Sequence, residues 1–227
     1  LIRKNTAVSD FCFRDLMNPE QAISLYMVLQ PYELDKLSPL IRLFINIMLT
    51  KTVSNMNFDN FSTKEPRLLL ILDEFQEIKK LDSIVKVMSI CPEYGVKICI
   101  VVQTIRQLTE IYTEDEANKI LANSQVQIYM TPSEYNTAES LSHSLGKTII
   151  TIPGHRIPIQ DPIQERFISI LEKIKNIMTP DEIIRMDMDK NQLVLAQGGK
   201  PILAKKIKWY EDPYFTKIGG ENYGKFK

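Results

Sequence analysis

The stretch from Leu68 to Phe75 reads LLLILDEF. Five apolar residues follow one another without interruption, and the run stops on two adjacent acids, Asp73 and Glu74. A short apolar run with a charged end is typical of a strand that is covered on both faces, as in a parallel sheet. The stretch therefore predicts a buried strand that carries two carboxylates to the carboxyl end of a sheet, where open α/β sheets bind their ligands.

Strand and helix patterns alternate on both sides of this stretch. Short apolar runs predict further strands, and capping residues followed by helically spaced apolar residues predict helices between them. The predicted strands are Ser24–Leu29, Val96–Val102 and Val126–Met130, and the predicted helices begin at Ser38–Pro39 or cover Lys79–Ile90, Thr104–Tyr112, Glu114–Ala122 and Thr131–Leu145. This alternation predicts an α/β fold with a mainly parallel sheet and crossover helices.

The alternation breaks after residue 147. The elements predicted beyond it are extended or looping chain over Thr148–Pro162, a helix over Phe167–Ile177, a short helix capped by Thr179, and a β-hairpin of Asn191–Gln197 and Ile202–Ile207 around Gly198. We therefore divide the chain into a core of residues 1–147, a C-terminal extension of the same domain over residues 148–216, and a flexible tail over residues 217–227.

The composition excludes several classes of function. Lys plus Arg and Asp plus Glu number 28 each, so the formal net charge of zero does not favour a whole-domain grip on nucleic acid. The three cysteines form no C-x-x-C pair, and His143 and His155 are not spaced as metal ligands. No apolar run approaches the roughly 20 residues that cross a bilayer. The basic run Lys205–Lys208 could touch a phosphate backbone, although it is more typical of the solvated face of an edge strand.

Asp73 and Glu74 match the second nucleotide motif of P-loop ATPases, Walker B. There an Asp holds hydrated Mg²⁺ and a following Glu orients and deprotonates the attacking water. Gln103 ends the next predicted strand and could sense a γ-phosphate. Two alternatives stay open: the strand ends in acids only because it must end in something polar, and Gln103 caps the following helix. The first motif, G-x-x-x-x-G-K-[ST], is not upstream; Gly146–Thr148 reads GKT but has Leu141 where a glycine is needed.

The order of these landmarks resembles the type IV secretion coupling proteins, the TraG/TraD-like ATPases of conjugation and effector export. The resemblance covers nearly the whole chain, from about Ser9 to Phe215. It is carried by Ser9–Phe11 and Arg14–Leu16, Leu25–Pro31 with Leu37–Asn46, Leu69–Phe75, Val101–Gln103 with Gln107, Leu108 and Tyr112, Leu121–Asn123, Thr137–Ala138, Leu145–Gly146, Met178–Glu182, the Gly198 hairpin, and Tyr210 with Asp212, Pro213 and Phe215.

The resemblance implies part of a RecA-like P-loop motor domain that works as a homo-hexamer on the cytoplasmic face of the bacterial inner membrane. Such a protein delivers a relaxase–DNA complex or secreted proteins to the other type IV secretion subunits. In the intact protein Asp73 would hold Mg²⁺ through water, Glu74 would serve the catalytic water, and Gln103 would sense the γ-phosphate of ATP. Without Walker A, we expect this chain, a soluble cytoplasmic part with no membrane segment, to bind neither ATP nor Mg²⁺ alone and not to hydrolyse ATP.

The sequence also departs from the family pattern. Gln76 stands where the family has Pro, Lys79 and Thr113 stand where it has Gly, and Lys175-Asn176 stands where it has Arg-Pro. Without an arginine at position 175, the arginine candidates for reaching a neighbouring subunit's phosphate are Arg106 and Arg156. Two other classes of function therefore remain as alternatives. One is a fragment of a DNA translocase of the FtsK/HerA kind, and the other is a non-catalytic module that binds substrates or adaptors.

Overall fold

The computed structural model describes residues 8–9, 11–17, 20–53, 68–153 and 170–219. Contacts between Cα atoms divide the chain into two units, Leu1–Ser124 and Gln125–Lys227. The boundary that the sequence pattern places after residue 147 rests on the order of motifs rather than on contacts, and it stays a prediction.

The first unit is built around a parallel pair of strands joined by a crossover helix. Its helices are α1 (Leu34–Val53), α2 (Asp82–Ile90), α3 (Ile105–Ile111) and α4 (Glu114–Asn123), its strands are β1 (Leu68–Leu72) and β2 (Val96–Ile100), and short 3-10 helices cover Phe13–Met17, Pro31–Glu33, Phe75–Ile78 and Cys91–Tyr94. Strands β1 and β2 are parallel, with Leu68 opposite Val96 and Leu72 opposite Ile100. The predicted parallel strands and the helix between them are confirmed.

One face of this strand pair packs into the core, and the other does not. Leu72, Val96 and Phe75 are buried with residues of α1, α2, α3 and α4. On the opposite face, however, the side chains of Leu69 and Ile71 are 57% and 60% exposed. The prediction that residues 68–72 are covered on both faces is therefore wrong within the part of the chain that the structure describes. There the helices pack on one face of the strand pair only.

Two further expectations for the first unit are corrected. Ser24–Leu29 has no regular structure, and Tyr26 and Val28 are more than four-fifths exposed. A strand needs a neighbour for its backbone N–H and C=O groups, and none of the described strands pairs with this segment. Helix α1 also begins at Leu34, so Ser38 is a buried residue inside the helix rather than its cap.

The described residues of the second unit form two antiparallel sheets and three helices. Its elements are β3 (Val126–Tyr129), α5 (Tyr135–Leu145), β4 (Lys147–Pro153), β5 (Ile170–Asn176), α6 (Pro180–Ile184), β6 (Asn191–Ala196), β7 (Ile202–Lys205) and α7 (Pro213–Gly219). Strand β6 lies between β3 and β7, and β4 pairs with β5. The predicted hairpin is confirmed as β6–β7, and Gly198 in its turn has a φ of 75°, which glycine adopts without a Cβ penalty.

The helix predicted over Phe167–Ile177 is wrong where the structure describes it, because residues 170–176 form β5 against β4. Residues 148–153 of the predicted extended chain belong to β4, whereas residues 154–162 and 167–169 lie outside the described residues. The cap at Thr179 is confirmed: its hydroxyl accepts the Glu182 N–H, and Glu182 accepts the Thr179 N–H at 2.7 Å. Residues 217–219 finish α7, and the rest of the predicted tail is not described.

None of the described helices has the length and apolarity that a membrane span requires.

Candidate nucleotide site

The three predicted site residues follow neighbouring parallel strands at the same edge of the sheet. Asp73 and Glu74 come directly after β1, and Gln103 comes three residues after β2. Backbone hydrogen bonds continue beyond the strands: the Val101 N–H donates to the Leu72 carbonyl at 3.0 Å, and the Phe75 N–H donates to the Val101 carbonyl at 3.0 Å. The segments that carry the acids and the glutamine therefore lie side by side, as the strand ends predicted, and all three residues are exposed.

The backbone forms a turn at Asp73 and Glu74. The φ of 45° and ψ of 51° at Glu74 lie in the left-handed region, which costs a residue with a Cβ about 1–2 kcal/mol. The Glu74 N–H donates to the Asp73 carboxylate at 3.1 Å, so one oxygen of Asp73 is oriented by the turn itself. Non-glycine residues in such conformations persist only where the surrounding structure fixes them.

Phe75 fixes the turn on its downstream side. Its side chain is fully buried, and its ring stacks on Tyr112 with centroids 5.9 Å apart and an interplanar angle of 11°. Burial raises the pKa of Tyr112 to about 12, so its hydroxyl stays protonated at neutral pH. From the sequence, Tyr112 is only a landmark of the family resemblance. The aromatic residue directly after the acid pair indicates a buried anchor, but it does not indicate Tyr112 as the partner.

Gln103 does not cap the helix that follows it. Thr104 is the cap of α3, where its hydroxyl accepts the Gln107 N–H at 3.4 Å. The Gln107 side chain in turn accepts the backbone N–H groups of Gln103 and Thr104, both at 3.2 Å. The structure records no hydrogen bond of the Gln103 side-chain amide with any described residue. The amide is therefore available to a ligand, which weakens the alternative that Gln103 serves as a helix cap.

The donor set suits a magnesium ion that is bound together with phosphates. The described residues contain no group of three or more His, Cys, Asp or Glu side chains that could hold a metal by themselves. Mg²⁺ keeps several waters and usually takes one or two carboxylates plus phosphate oxygens. Asp73 and Glu74, exposed at a strand end beside the free amide of Gln103, fit that mode and not a cage made of protein ligands only.

The GKT sequence is not a phosphate loop, as predicted. Gly146 ends α5 with a φ of 86°, and Lys147 begins β4, whereas a phosphate loop runs from a strand into a helix. A second partial match, Gly219 to Lys225, has the Gly-x₄-Gly-Lys spacing but is followed by Phe226 rather than Ser or Thr. It begins at the last residue of helix α7, and residues 220–227 lie outside the described residues.

Most of the other candidate side chains have local partners. Arg106 pairs with Glu110 on α3 at 3.1 Å, and Lys175 pairs with Glu182 at 3.3 Å. Lys206 donates to the Met188 carbonyl at 2.6 Å, and Lys208 lies 3.7 Å from Glu211, which favours the solvated edge strand over a phosphate contact. His143 is exposed on α5, and His155 and Arg156 are not among the described residues. None of these contacts places a second site.

Lys79 has a φ of 63° and a ψ of −166°, in a region that is essentially restricted to glycine. We expect Lys79→Gly to raise the free energy of unfolding by about 1 kcal/mol, because relief of about 1–3 kcal/mol of strain exceeds the unfolded-state entropy that glycine adds. The ion pair with Asp35, at 2.6 Å, is a minor loss, because solvent screens an exposed pair.

Urea titration followed by circular dichroism measures this change. Lys79→Ala is the matched control, because it removes the same ion pair but keeps a Cβ at the strained position. A glycine variant no more stable than the alanine variant would show that the strain is absent.

Comparisons with known proteins agree on one family. The sequence pattern described as "Type IV secretory system Conjugative DNA transfer" matches residues 1–226. The conjugal transfer protein TraG of Escherichia coli is 30% identical over 238 residues, which cover 95% of this chain and 37% of TraG. Protein VirD4 of Agrobacterium fabrum is 25% identical over 220 residues, or 96% of this chain and 32% of VirD4. The chain thus spans about a third of the length of these relatives.

Solved structures of the bacterial conjugative coupling protein TrwB have the same fold. The complex of TrwB with the ATP analogue ADPNP superposes with a TM-score of 0.68 at 22% identity, over 88% of this chain and 44% of TrwB. The complex of TrwB with ADP and Mg²⁺ gives a TM-score of 0.68 at 20% identity over the same shares. These similarities confirm the predicted α/β, RecA-like fold class.

Proposed function

Because this chain belongs to the type IV secretory system conjugative DNA transfer family, we propose that it forms part of a coupling-protein ATPase. Such a protein delivers relaxase–DNA complexes or secreted proteins to a type IV secretion channel. The observation that carries the proposal is the parallel β1–β2 pair, which brings Asp73 and Glu74 alongside Gln103 at one sheet edge. The family match from end to end favours this function over a DNA translocase of the FtsK/HerA kind.

Each of the three side chains has a role in ATP hydrolysis that follows from its place. Asp73, oriented by the Glu74 N–H, would hold Mg²⁺ through water. Glu74 would accept a proton from the attacking water and orient it, and the free amide of Gln103 would contact the γ-phosphate. Bound Mg²⁺ neutralises charge that develops on the phosphate oxygens. The complexes of TrwB with ADPNP and with ADP and Mg²⁺ support this choice of cofactors.

The partners and the location follow from the same proposal. The intact protein would assemble as a homo-hexamer on the cytoplasmic face of the bacterial inner membrane and contact other type IV secretion subunits. The names of the relatives, conjugal transfer and coupling proteins, support DNA transfer as the process. Lys175, which stands where the family has an Arg, is paired with Glu182 at 3.3 Å, and this pairing argues against a contact of Lys175 with a neighbouring subunit's phosphate.

A mating assay tests the proposal. A chimera in which this chain replaces the matching segment of E. coli TraG is expected to restore plasmid transfer to a strain that lacks TraG, and Glu74→Gln in the chimera is expected to abolish transfer. Equal expression of the two chimeras is the control. Restored transfer that survives Glu74→Gln would favour the non-catalytic substrate- or adaptor-binding module instead.

A further inference from the structure

Tyr112 contacts both ends of the segment that follows the acid pair. At the upstream end its ring stacks on Phe75, the residue directly after Glu74. At the downstream end its hydroxyl accepts the Leu81 N–H at 3.1 Å, just before α2 begins. Tyr112 itself is 2% exposed and directly follows α3, the helix that Gln103 and Thr104 precede.

A second set of contacts fixes Tyr112 from the side. The Lys80 ammonium lies 6.0 Å from the centre of the Tyr112 ring, within the range of a cation–π contact. Lys80 also donates to both carboxylate oxygens of Glu116 at 3.0 Å, and Glu116 closes the capping box of α4 with Thr113. Hydrogen bonding to Glu116 raises the pKa of Lys80, so the ammonium form is favoured.

We propose that Tyr112 is a positioning residue that fixes the left-handed turn at Glu74 by holding Phe75 and Leu81 at the same time. Two strained residues belong to this part of the chain. Glu74, with a φ of 45°, directly precedes the segment from Phe75 to Leu81 that Tyr112 bridges, and Lys79, with a φ of 63°, lies within it. Such conformations need external contacts to persist. The catalytic meaning of this role rests on the proposed function, whereas the contacts themselves do not.

The same residue also links the two predicted catalytic segments. The Glu74 turn is attached to Tyr112 through Phe75, and the Gln103 segment leads into α3, which ends at Ile111 beside Tyr112. Loss of the ring would release the turn without changing any atom of Glu74 or Gln103. Loss of the hydroxyl alone would release only the Leu81 end.

NMR spectroscopy of the isotope-labelled 227-residue chain tests the proposal. The first readout is the strong amide–Hα NOE within Glu74 that a positive φ gives, and the second is the exchange rate of the Leu81 amide. Tyr112→Leu is expected to abolish the positive-φ pattern of Glu74 while the amides of β1 and β2 stay protected. Tyr112→Phe is expected to keep that pattern but to speed Leu81 exchange at least about tenfold, since an unpaired N–H loses its protection. Tyr129→Leu, a matched change in the other unit, should alter neither readout.

A folded Tyr112→Leu chain with the Glu74 pattern intact would overturn the proposal. If Tyr112→Leu does not fold, Tyr112→Phe decides: faster Leu81 exchange supports the bridge, and unchanged exchange overturns it. Neither readout requires ATP, so these measurements test the role of Tyr112 independently of the proposed ATPase function. A failure of that function would appear as phosphate release by the TraG chimera that does not depend on Glu74, whatever the NMR spectra give.

Discussion

Replacing Phe75 with alanine is expected to lower the free energy of unfolding by about 3–5 kcal/mol, the usual cost of removing a buried aromatic side chain. Phe75 is 0% exposed and is one of the largest fully buried side chains among the described residues. It also stacks on Tyr112, and an aromatic pair adds about 0.5–1.5 kcal/mol beyond the area that it buries. Urea titration followed by circular dichroism measures the loss.

Phe215→Ala provides the matched control for this substitution. Phe215 is 43% exposed on α7 in the other unit, so folding removes less of its apolar area from water than it does for Phe75. The substitution should therefore lower the free energy of unfolding by less than about 1.5 kcal/mol. Equal losses for the two variants would contradict the view that Phe75 anchors the turn after the acid pair.

Replacing Glu74 with glutamine in the TraG chimera is expected to lower phosphate release by about 10²–10⁴-fold, the range that a positioned general base contributes. Glutamine keeps the size and the left-handed backbone of Glu74 but cannot accept a proton from water. Nucleotide affinity should change little, because Glu74 acts on the water rather than on the phosphates. The initial rate of phosphate release at saturating Mg²⁺–ATP measures the effect.

Glu77→Gln is the control for the loss of a charge near the site. Glu77 is exposed in the 3-10 helix Phe75–Ile78, three residues beyond Glu74. The rate of phosphate release by the Glu77→Gln chimera should stay within about twofold of the unsubstituted chimera. An exposed charge that does not contact the reacting atoms is screened by water and salt. A Glu77 variant as slow as the Glu74 variant would assign the loss to general electrostatics.

The sequence was sufficient for features that local patterns determine. The apolar runs of β1 and β2, with a helix between them, predict a parallel pair whose carboxyl ends meet, and the closeness of the segments that carry Asp73, Glu74 and Gln103 follows from that pairing. Thr179 with Glu182 and the Gly198 turn are likewise local, because each depends on residues within a few positions.

Features that depend on distant partners were not predictable. Ser24–Leu29 has a strand-like pattern, but a strand forms only where a neighbouring strand can pair with its backbone N–H and C=O groups, and none of the described strands does so. Residues 170–176 have apolar residues at helical spacing and many good helix formers, yet pairing with β4 makes them a strand. The contact between Phe75 and Tyr112 spans 37 residues, and no local pattern indicates which distant residue packs on Phe75. The positive φ of Lys79 is indicated only by the family's glycine at that position.

We propose that Asp73 and Glu74 form the metal and water side of an ATP site, and these 227 residues contain no G-x-x-x-x-G-K-[ST] loop to hold the phosphates. Phosphate release by the 227-residue chain itself, measured with malachite green at saturating Mg²⁺–ATP, tests this most directly. We expect no phosphate release above that of the Glu74→Gln chain. Turnover by the unsubstituted chain that disappears in Glu74→Gln would contradict it, because the site would then be complete without a Walker A loop.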